Sequence, residues 1–347
     1  MSESGEKSGT GARPVAVVTG ASAGVGRATA LEFASRGYDV GLVARGRAGL
    51  EAAAGDVRRL GARACHVVAD VADPQAVDTA ADSIAAELGE IDVWVNNAMT
   101  TVFGRIPELT ASEIERATRV TYLGQVHGVL TALRHMGPRD RGAIVFVGSA
   151  LSYRGIPLQS AYCASKFAVR GFHESLRTEL LHRRSGIVAT IVHLPAMNTP
   201  QFQWCRTRID KHPQPVPPIY QPEVAARAIA DAVRSGPRQK VVGTWNWMLI
   251  KIAQWIPGVG DHYMAATGVD AQLTAEQVSA NRPDNLMEPV DVDRDFGSHG
   301  RFDDRARGLA APGFLKSLPG QARDLLSAVG ARAGEIYSRW THAGDRR

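Results

Sequence analysis

The chain has 347 residues, 44% hydrophobic and 22% charged, with a formal net charge of +5 and ten histidines. That length can bury a substantial core, and the weak, dispersed positive charge argues against a nucleic-acid partner. Three cysteines (Cys65, Cys163, Cys205) stand far apart with no C-x-x-C pair. This argues against a disulfide framework or a zinc site and suits a reducing, cytoplasmic compartment.

Residues 1–12 are polar and rich in Gly and Ser, and are expected to form a disordered leader. From Val15 to about Pro195, six short apolar runs follow in order: PVAVVTG, DVGLVAR, ARACHVVADV, IDVWVNN, GAIVFVGS and GIVATIVHL. Stretches rich in Ala, Leu, Glu and Arg lie between them and are long enough for crossover helices. Nearly continuous apolar strands separated by helices predict an α/β fold, a doubly wound parallel sheet with helices on both faces. Ligands of such sheets bind at the carboxyl ends of the strands.

TGASAGVGRA (19–28) follows the first strand and opens a helix. Gly20, Gly24 and Gly26, with Ser22, Ala23 and Val25 between them, make a tight turn in which backbone N–H groups can approach a pyrophosphate. No Gly-Lys-Ser/Thr follows, so it is not a P-loop. The second strand ends at Ala44-Arg45, where an NAD site usually carries an acid. Arginine there suits a 2′-phosphate, so NADP(H) is the expected cofactor.

Taken together, these and later residues resemble the short-chain dehydrogenase/reductase family over about residues 14–200. The pattern is Thr-Gly-x-x-x-Gly-x-Gly at 19–26, Asp70-Val71 after the third strand, Asn96-Asn97-Ala98 after the fourth, Ser149 after the fifth, and Tyr162-x-x-x-Lys166. The resemblance implies a Rossmann-type fold and hydride transfer between a nicotinamide and a carbonyl/alcohol pair. It assigns Tyr162 as general acid/base, Ser149 as the hydrogen-bonding partner of the substrate oxygen, and Lys166 as holder of the nicotinamide ribose. Asp70, Val71, Asn97, Ala98, Pro195 and Thr199 join the cofactor site, with no metal. Tyr162 and Lys166 share one helix face. An ammonium beside the phenol is expected to lower the tyrosine pKa.

The pattern departs from the family in three places. Thr121 stands where the family often has a relay asparagine, and it takes that catalytic position here. Met99 replaces a glycine, and Leu194-Pro195 replace Pro-Gly. The loops Met99–Arg105, Ala150–Pro157 and Met197–Asp210 offer Met99, Phe103, Leu151, Tyr153, Ile156, Phe202 and Trp204, so the expected substrate is a bulky apolar carbonyl or alcohol. His193 and Cys163 are read as packed structural residues.

Residues 13–243 form the expected catalytic domain and 244–347 an extension, mostly helical or irregular. The extension holds an apolar segment at 245–258, an acidic loop at 270–295, and an amphipathic tail helix at about 320–340. In the apolar segment, Trp245, Met248, Leu249, Ile252, Trp255 and Ile256 share one side. It is too short for a membrane span, which needs about 20 apolar residues. The tail helix is read as packing on the protein or a second subunit in preference to a peripheral membrane contact. Family members are commonly homo-oligomers, so one is expected here. The alternative to an enzyme is an NADP-binding regulatory or scaffold protein that keeps the fold with weak or no turnover.

Overall fold

Both faces of the central strands carry apolar side chains, and both are buried. In β1 (Val15–Thr19), Ala16 and Val18 enter one cluster while Val15 and Val17 enter another. Such a strand needs helices on each side. The computed structural model describes residues 12–308 apart from Ile256 and Ala280. The leader up to Gly11 and the tail helix expected at 320–340 lie outside the described residues.

β1 is joined by β2 (Asp39–Ala44), β3 (Ala64–Val68), β4 (Ile91–Asn96), β5 (Gly142–Ser149), β6 (Ile187–Leu194) and β7 (Gln239–Val241) in one sheet. All pairings are parallel, in the order β7-β6-β5-β4-β1-β2-β3. The chain winds outward from β1 to β3, then returns to the other side of β1 at β4. That reversal opens a crevice at the carboxyl ends of β1 and β4.

Helices α1 (Gly24–Ser35), α2 (Arg47–Arg59) and α7 (Pro222–Ser235) supply one cluster. Helices α3 (Pro74–Leu88), α5 (Gly124–Met136) and α6 (Ser160–His182) supply the other. Local signals set their ends. Asp73 caps α3 by accepting from the N–H groups of Gln75 and Ala76, at 2.9 and 3.3 Å, with Pro74 in the first turn. α7 also starts on a proline and stops at Gly236, whose φ of +56° suits glycine. α4 (Ala111–Thr118) runs through a π-helical turn at Arg119–Leu123 directly into α5. β5 and β6 stay in register from Gly142↔Ile187 to Ser149↔Leu194, so the loops after both strands begin level with each other.

The apolar segment of the extension forms α8 (Thr244–Trp255), and α9 (Pro257–Thr267) follows it. Its most buried positions lie beside the expected side, of which Trp245, Leu249 and Ile252 are half-buried. Asn246 and Ile250 are buried, whereas Trp255 is 81% exposed. Asn246 faces inward because its amide donates to the His193 carbonyl at 3.3 Å, and that fixes the helix's rotation. The stretch expected to be loop at 270–295 contains a strand, Leu273–Gln277, paired antiparallel with Lys211–Pro213. A pairing between segments so far apart leaves no local trace. Among the described residues, no helix is long and apolar enough to cross a membrane.

Candidate active site

The crevice is a cleft of about 610 Å³. Its floor is the turn after β1. Gly20 and Gly24 have φ values of +67° and +58°, and a Cβ on Gly26 would collide with the Gly20 carbonyl. Only glycine fits these positions. Asn97 pins the turn from the neighbouring strand end, because its side-chain amide donates to the carbonyls of Thr19 at 2.8 Å and Gly20 at 3.3 Å. Thr19 Oγ1 in turn accepts from the N–H groups of Asn97 and Ala98, at 3.0 and 3.1 Å. The cleft is lined by Gly20, Ser22, Ala23, Gly24, Val25 and Gly26, then by Arg45, Asp70, Val71, Asn97 and Ala98, and by Pro195 and Thr199.

At the opposite end, Ser149, Tyr162 and Lys166 also line the cleft. Ser149 ends β5, and its Oγ accepts from the Leu151 N–H at 3.1 Å, while its hydroxyl also bonds the Tyr162 phenol. Tyr162 and Lys166 lie in the first turns of α6. Burial pushes the Tyr162 phenol above its ordinary value, and a hydrogen bond with Ser149 counters this only in part. Lys166 is 1% exposed, and burial alone lowers its ammonium to about 7. Its Nζ donates to the Val147 carbonyl at 2.7 Å. The expected lowering of the phenol pKa by Lys166 is therefore not what the geometry gives. The ammonium is held against Val147, 5.5 Å from the phenol centroid, and desolvation dominates.

These features fit a nicotinamide dinucleotide. The glycine turn presents backbone where a pyrophosphate needs close approach, and Lys166 is a buried cation with one hydrogen-bond acceptor among the described residues. Those residues contain no cluster of His, Cys, Asp or Glu suited to a metal ion.

The short chain dehydrogenase family model matches residues 14–209. The chain belongs to the short-chain dehydrogenase family. It is an oxidoreductase of that family, with a Rossmann-type fold. The uncharacterized oxidoreductase YxnA of Bacillus subtilis is 31% identical over 290 residues, covering 83% of this chain and 80% of the relative. Human 17-beta-hydroxysteroid dehydrogenase 13 is 28% identical, over 70% of this chain and 79% of the relative. The crystal structure of a short-chain dehydrogenase from Streptomyces avermitilis is 27% identical with a TM-score of 0.61, covering 74% of this chain and all of that one.

Within this short-chain dehydrogenase, Thr121 is not among the cleft-lining residues. It is fully buried, and its hydroxyl donates to the Thr100 carbonyl at 2.7 Å and accepts from the Thr100 N–H at 3.0 Å. One turn further along, Gln125 is buried too. Its amide reaches the same Val147 carbonyl that Lys166 uses, at 3.5 Å, and its Oε1 has no partner among the described residues. The sequence pattern did not single out Gln125. A polar residue one helical turn from the expected relay position was the available signal.

Met99, Phe103, Leu151, Ile156, Phe202 and Trp204 line the cleft as expected, but Tyr153 does not. Its hydroxyl instead donates to Gln239 Oε1 at 2.8 Å and meets His193 Nε2 at 3.3 Å. His193 is fully buried, contacts the Ser149 carbonyl through Nδ1 at 3.2 Å, and is lowered to about 3 chiefly by burial. It is a structural histidine that braces the Ser149 loop. Cys163 is buried beside Tyr162. The extension adds wall, with Trp245, Leu249 and Ile252 from the expected side of α8 and Tyr263 and Met264 from α9.

Residues 284–300 form a strap across the other end. Arg45 donates to the carbonyls of Met287 and Asn285, at 2.7 and 2.5 Å. Arg116 bonds Leu286 O at 3.0 Å and Asp70 at 2.5 Å. The Gly24 N–H donates to the Gly297 carbonyl at 3.1 Å, and Arg27 pairs with Asp56 and Asp295. Phe296 packs edge-on against Trp204.

Proposed function

We propose that this protein is an NADP-dependent oxidoreductase that interconverts a carbonyl and an alcohol on a bulky, apolar small molecule, with Tyr162 as general acid/base. The observation that carries the reading is the convergence of Ser149, Tyr162 and Lys166 in a cleft whose outer wall is apolar. The human relative, named for a hydroxysteroid, agrees with that choice of substrate class. Ala44 leaves the end of β2 without an acid, and Arg45 lies beside it, which favours the 2′-phosphorylated cofactor.

A bound nicotinamide supplies or accepts the hydride. In the reducing direction Tyr162, kept protonated by burial, donates its phenolic proton to the carbonyl oxygen. The Ser149 hydroxyl, hydrogen-bonded to the phenol, can turn its hydrogen to the same carbonyl oxygen. Lys166, held by the Val147 carbonyl, would offer its remaining N–H groups to the ribose hydroxyls of a bound nicotinamide. Thr121 acts as a positioning residue, fixing the Thr100 backbone next to Met99. We also propose a homo-oligomer paired through α6, which exposes Phe167 and Leu181; light scattering on the eluting protein tests this, and a monomer would refute it.

The test of the main reading is NADPH consumption across a panel of apolar aldehydes and ketones, and NADP⁺ reduction across the matching alcohols. Turnover should fall by about 10²–10⁴-fold in Tyr162→Phe, with cofactor affinity kept. Tight cofactor binding with no turnover on any substrate would replace the enzyme by a cofactor-binding regulatory protein.

A further inference from the structure

The strap does more than cover the cleft. The residue at the N-cap of α2 is Gly46, which has no side chain to cap the helix. The strap supplies the missing acceptors, since the Ala48 N–H donates to the Val292 carbonyl at 3.1 Å and the Gly49 N–H to the Asp291 carbonyl at 3.4 Å. Capping in this way carries the Asp291 side chain directly over Gly46. A Cβ on Gly46 would overlap the Asp291 carboxylate, and one on Gly49 would lie 2.8 Å from Asp291 Oδ2 and 2.9 Å from Ser22 Cβ. The carboxylate thus fills a notch between the glycine turn and the first turn of α2.

Three observations mark this carboxylate as a ligand-facing group. Asp291 is 7% exposed, yet it lines the cleft. No described residue donates a hydrogen bond to its side chain, whose place is in the wall of the cleft. Its charge acts on Arg45, but the Arg45 guanidinium hydrogen-bonds Asn285 and Met287. The notch also lies at the end of β2, where dinucleotide sites of this fold hold the ribose 2′ substituent, and at a helix N-terminus that attracts anions.

We infer that Asp291, carried by the C-terminal strap, is a specificity-determining residue for the cofactor, an internal anion occupying the 2′-phosphate notch beside Arg45 and Gly46. A ribose with a free 2′-hydroxyl can donate to this carboxylate. A 2′-phosphate is repelled by it and binds only when Asp291 withdraws from Gly46. Asp291 therefore narrows the preference for NADP(H) that Arg45 sets. The inference rests on the dinucleotide reading above and names a second determinant within it.

The experiment measures dissociation constants for NADPH and NADH by fluorescence titration, in the wild type, Asp291→Asn and Asp291→Ala. Because the carboxylate accepts no hydrogen bond from a described residue, Asn keeps its shape and leaves no partner unsatisfied. Both variants should shift the affinity ratio towards NADPH by about tenfold or more. A ratio unchanged within about twofold in Asp291→Asn overturns the inference while leaving the NADP assignment intact. A shift in Asp291→Ala alone also overturns it, since strap packing and not charge would then be responsible. A wild type that prefers NADH, with Asp291→Asn moving towards NADPH, supports the inference and removes the NADP assignment. Failure of the wild type to bind either nucleotide defeats both.

Discussion

Lys166 lies one helical turn beyond Tyr162, and its Nζ rests 5.5 Å from the centre of the phenol ring while donating to the Val147 carbonyl. The ammonium is thus placed by β5, the strand that also ends in Ser149. Burial moves the two groups in opposite directions, the phenol up and the ammonium down to about 7. Both shifts favour the uncharged form, so at neutral pH the acid keeps its proton and the cation is only half charged.

Stability should therefore rise with pH above 7. The folded Lys166 loses its proton near 7, whereas an unfolded lysine holds one to about 10.4, so the unfolded state binds more protons between these values. The gain should approach about 1 kcal/mol per pH unit up to roughly pH 8.5, before unfolded thiols begin to ionise. Urea melts of the wild type and Lys166→Met at several pH values check this. Parallel curves for the two proteins would show that Lys166 is not responsible.

Acid should destabilise the fold before carboxylates protonate. Burial is the leading cause that lowers His173 to about 4 and His193 to about 3, so both are neutral in the fold through the range where unfolded histidine takes up a proton. Their contribution is complete above about pH 6.5 and is lost progressively as pH falls from there towards the folded values. His193→Gln should flatten the loss between roughly pH 6.5 and 4.5 in thermal melts. An equally steep fall in the variant would count against it.

Replacing Thr121 by Val removes both partners of the Thr100 backbone in a buried place. The expected cost is about 1–3 kcal/mol of stability, with Thr121→Ser close to the wild type. Turnover should fall far less than in Tyr162→Phe. A variant of undiminished stability with strongly reduced turnover would instead put Thr121 in the proton relay.

Arg45→Asp should weaken NADPH at least about tenfold more than NADH, because it removes the cation and adds a like charge for the 2′-phosphate. Calorimetric titration with both nucleotides reads the ratio. Since Arg45 also holds the carbonyls of Asn285 and Met287, some loss is expected for both. Equal losses would remove the assignment.

Trp245 and Leu249 test the apolar wall. Alanine at either position should raise KM for bulky apolar substrates by about tenfold and leave small carbonyls nearly unaffected, because only the former reach α8. A uniform change across substrate sizes would mean that α8 only supports the fold.

Six of the seven main-sheet strands were legible because each is an apolar run with Gly, Asp or Asn at its ends. β7 was missed, being three residues long at the sheet edge, with Gln239 and Lys240 in place of an apolar run. The motif residues were legible for a similar reason. Gly20, Ser149 and Tyr162 are set by local turns, strand ends and helix spacing. Tyr153 was misplaced because its direction depends on His193 and Gln239, which come from other strands. The strap was invisible because nothing near Asp291 in sequence indicates that it lies on Gly46.

The Arg27–Asp295 pair spans 268 positions, and the strap's other contacts with α1 and α2 span comparable lengths of chain. A polypeptide made from its N-terminus has its whole central sheet available before this last stretch emerges. The glycine turn and the uncapped start of α2 must then wait, solvated, for residues almost 300 positions into synthesis. Long-range closure of this kind is slow. The sheet can mature early, while the strap closes over the glycine turn and the start of α2 last, as a late step with its own rate.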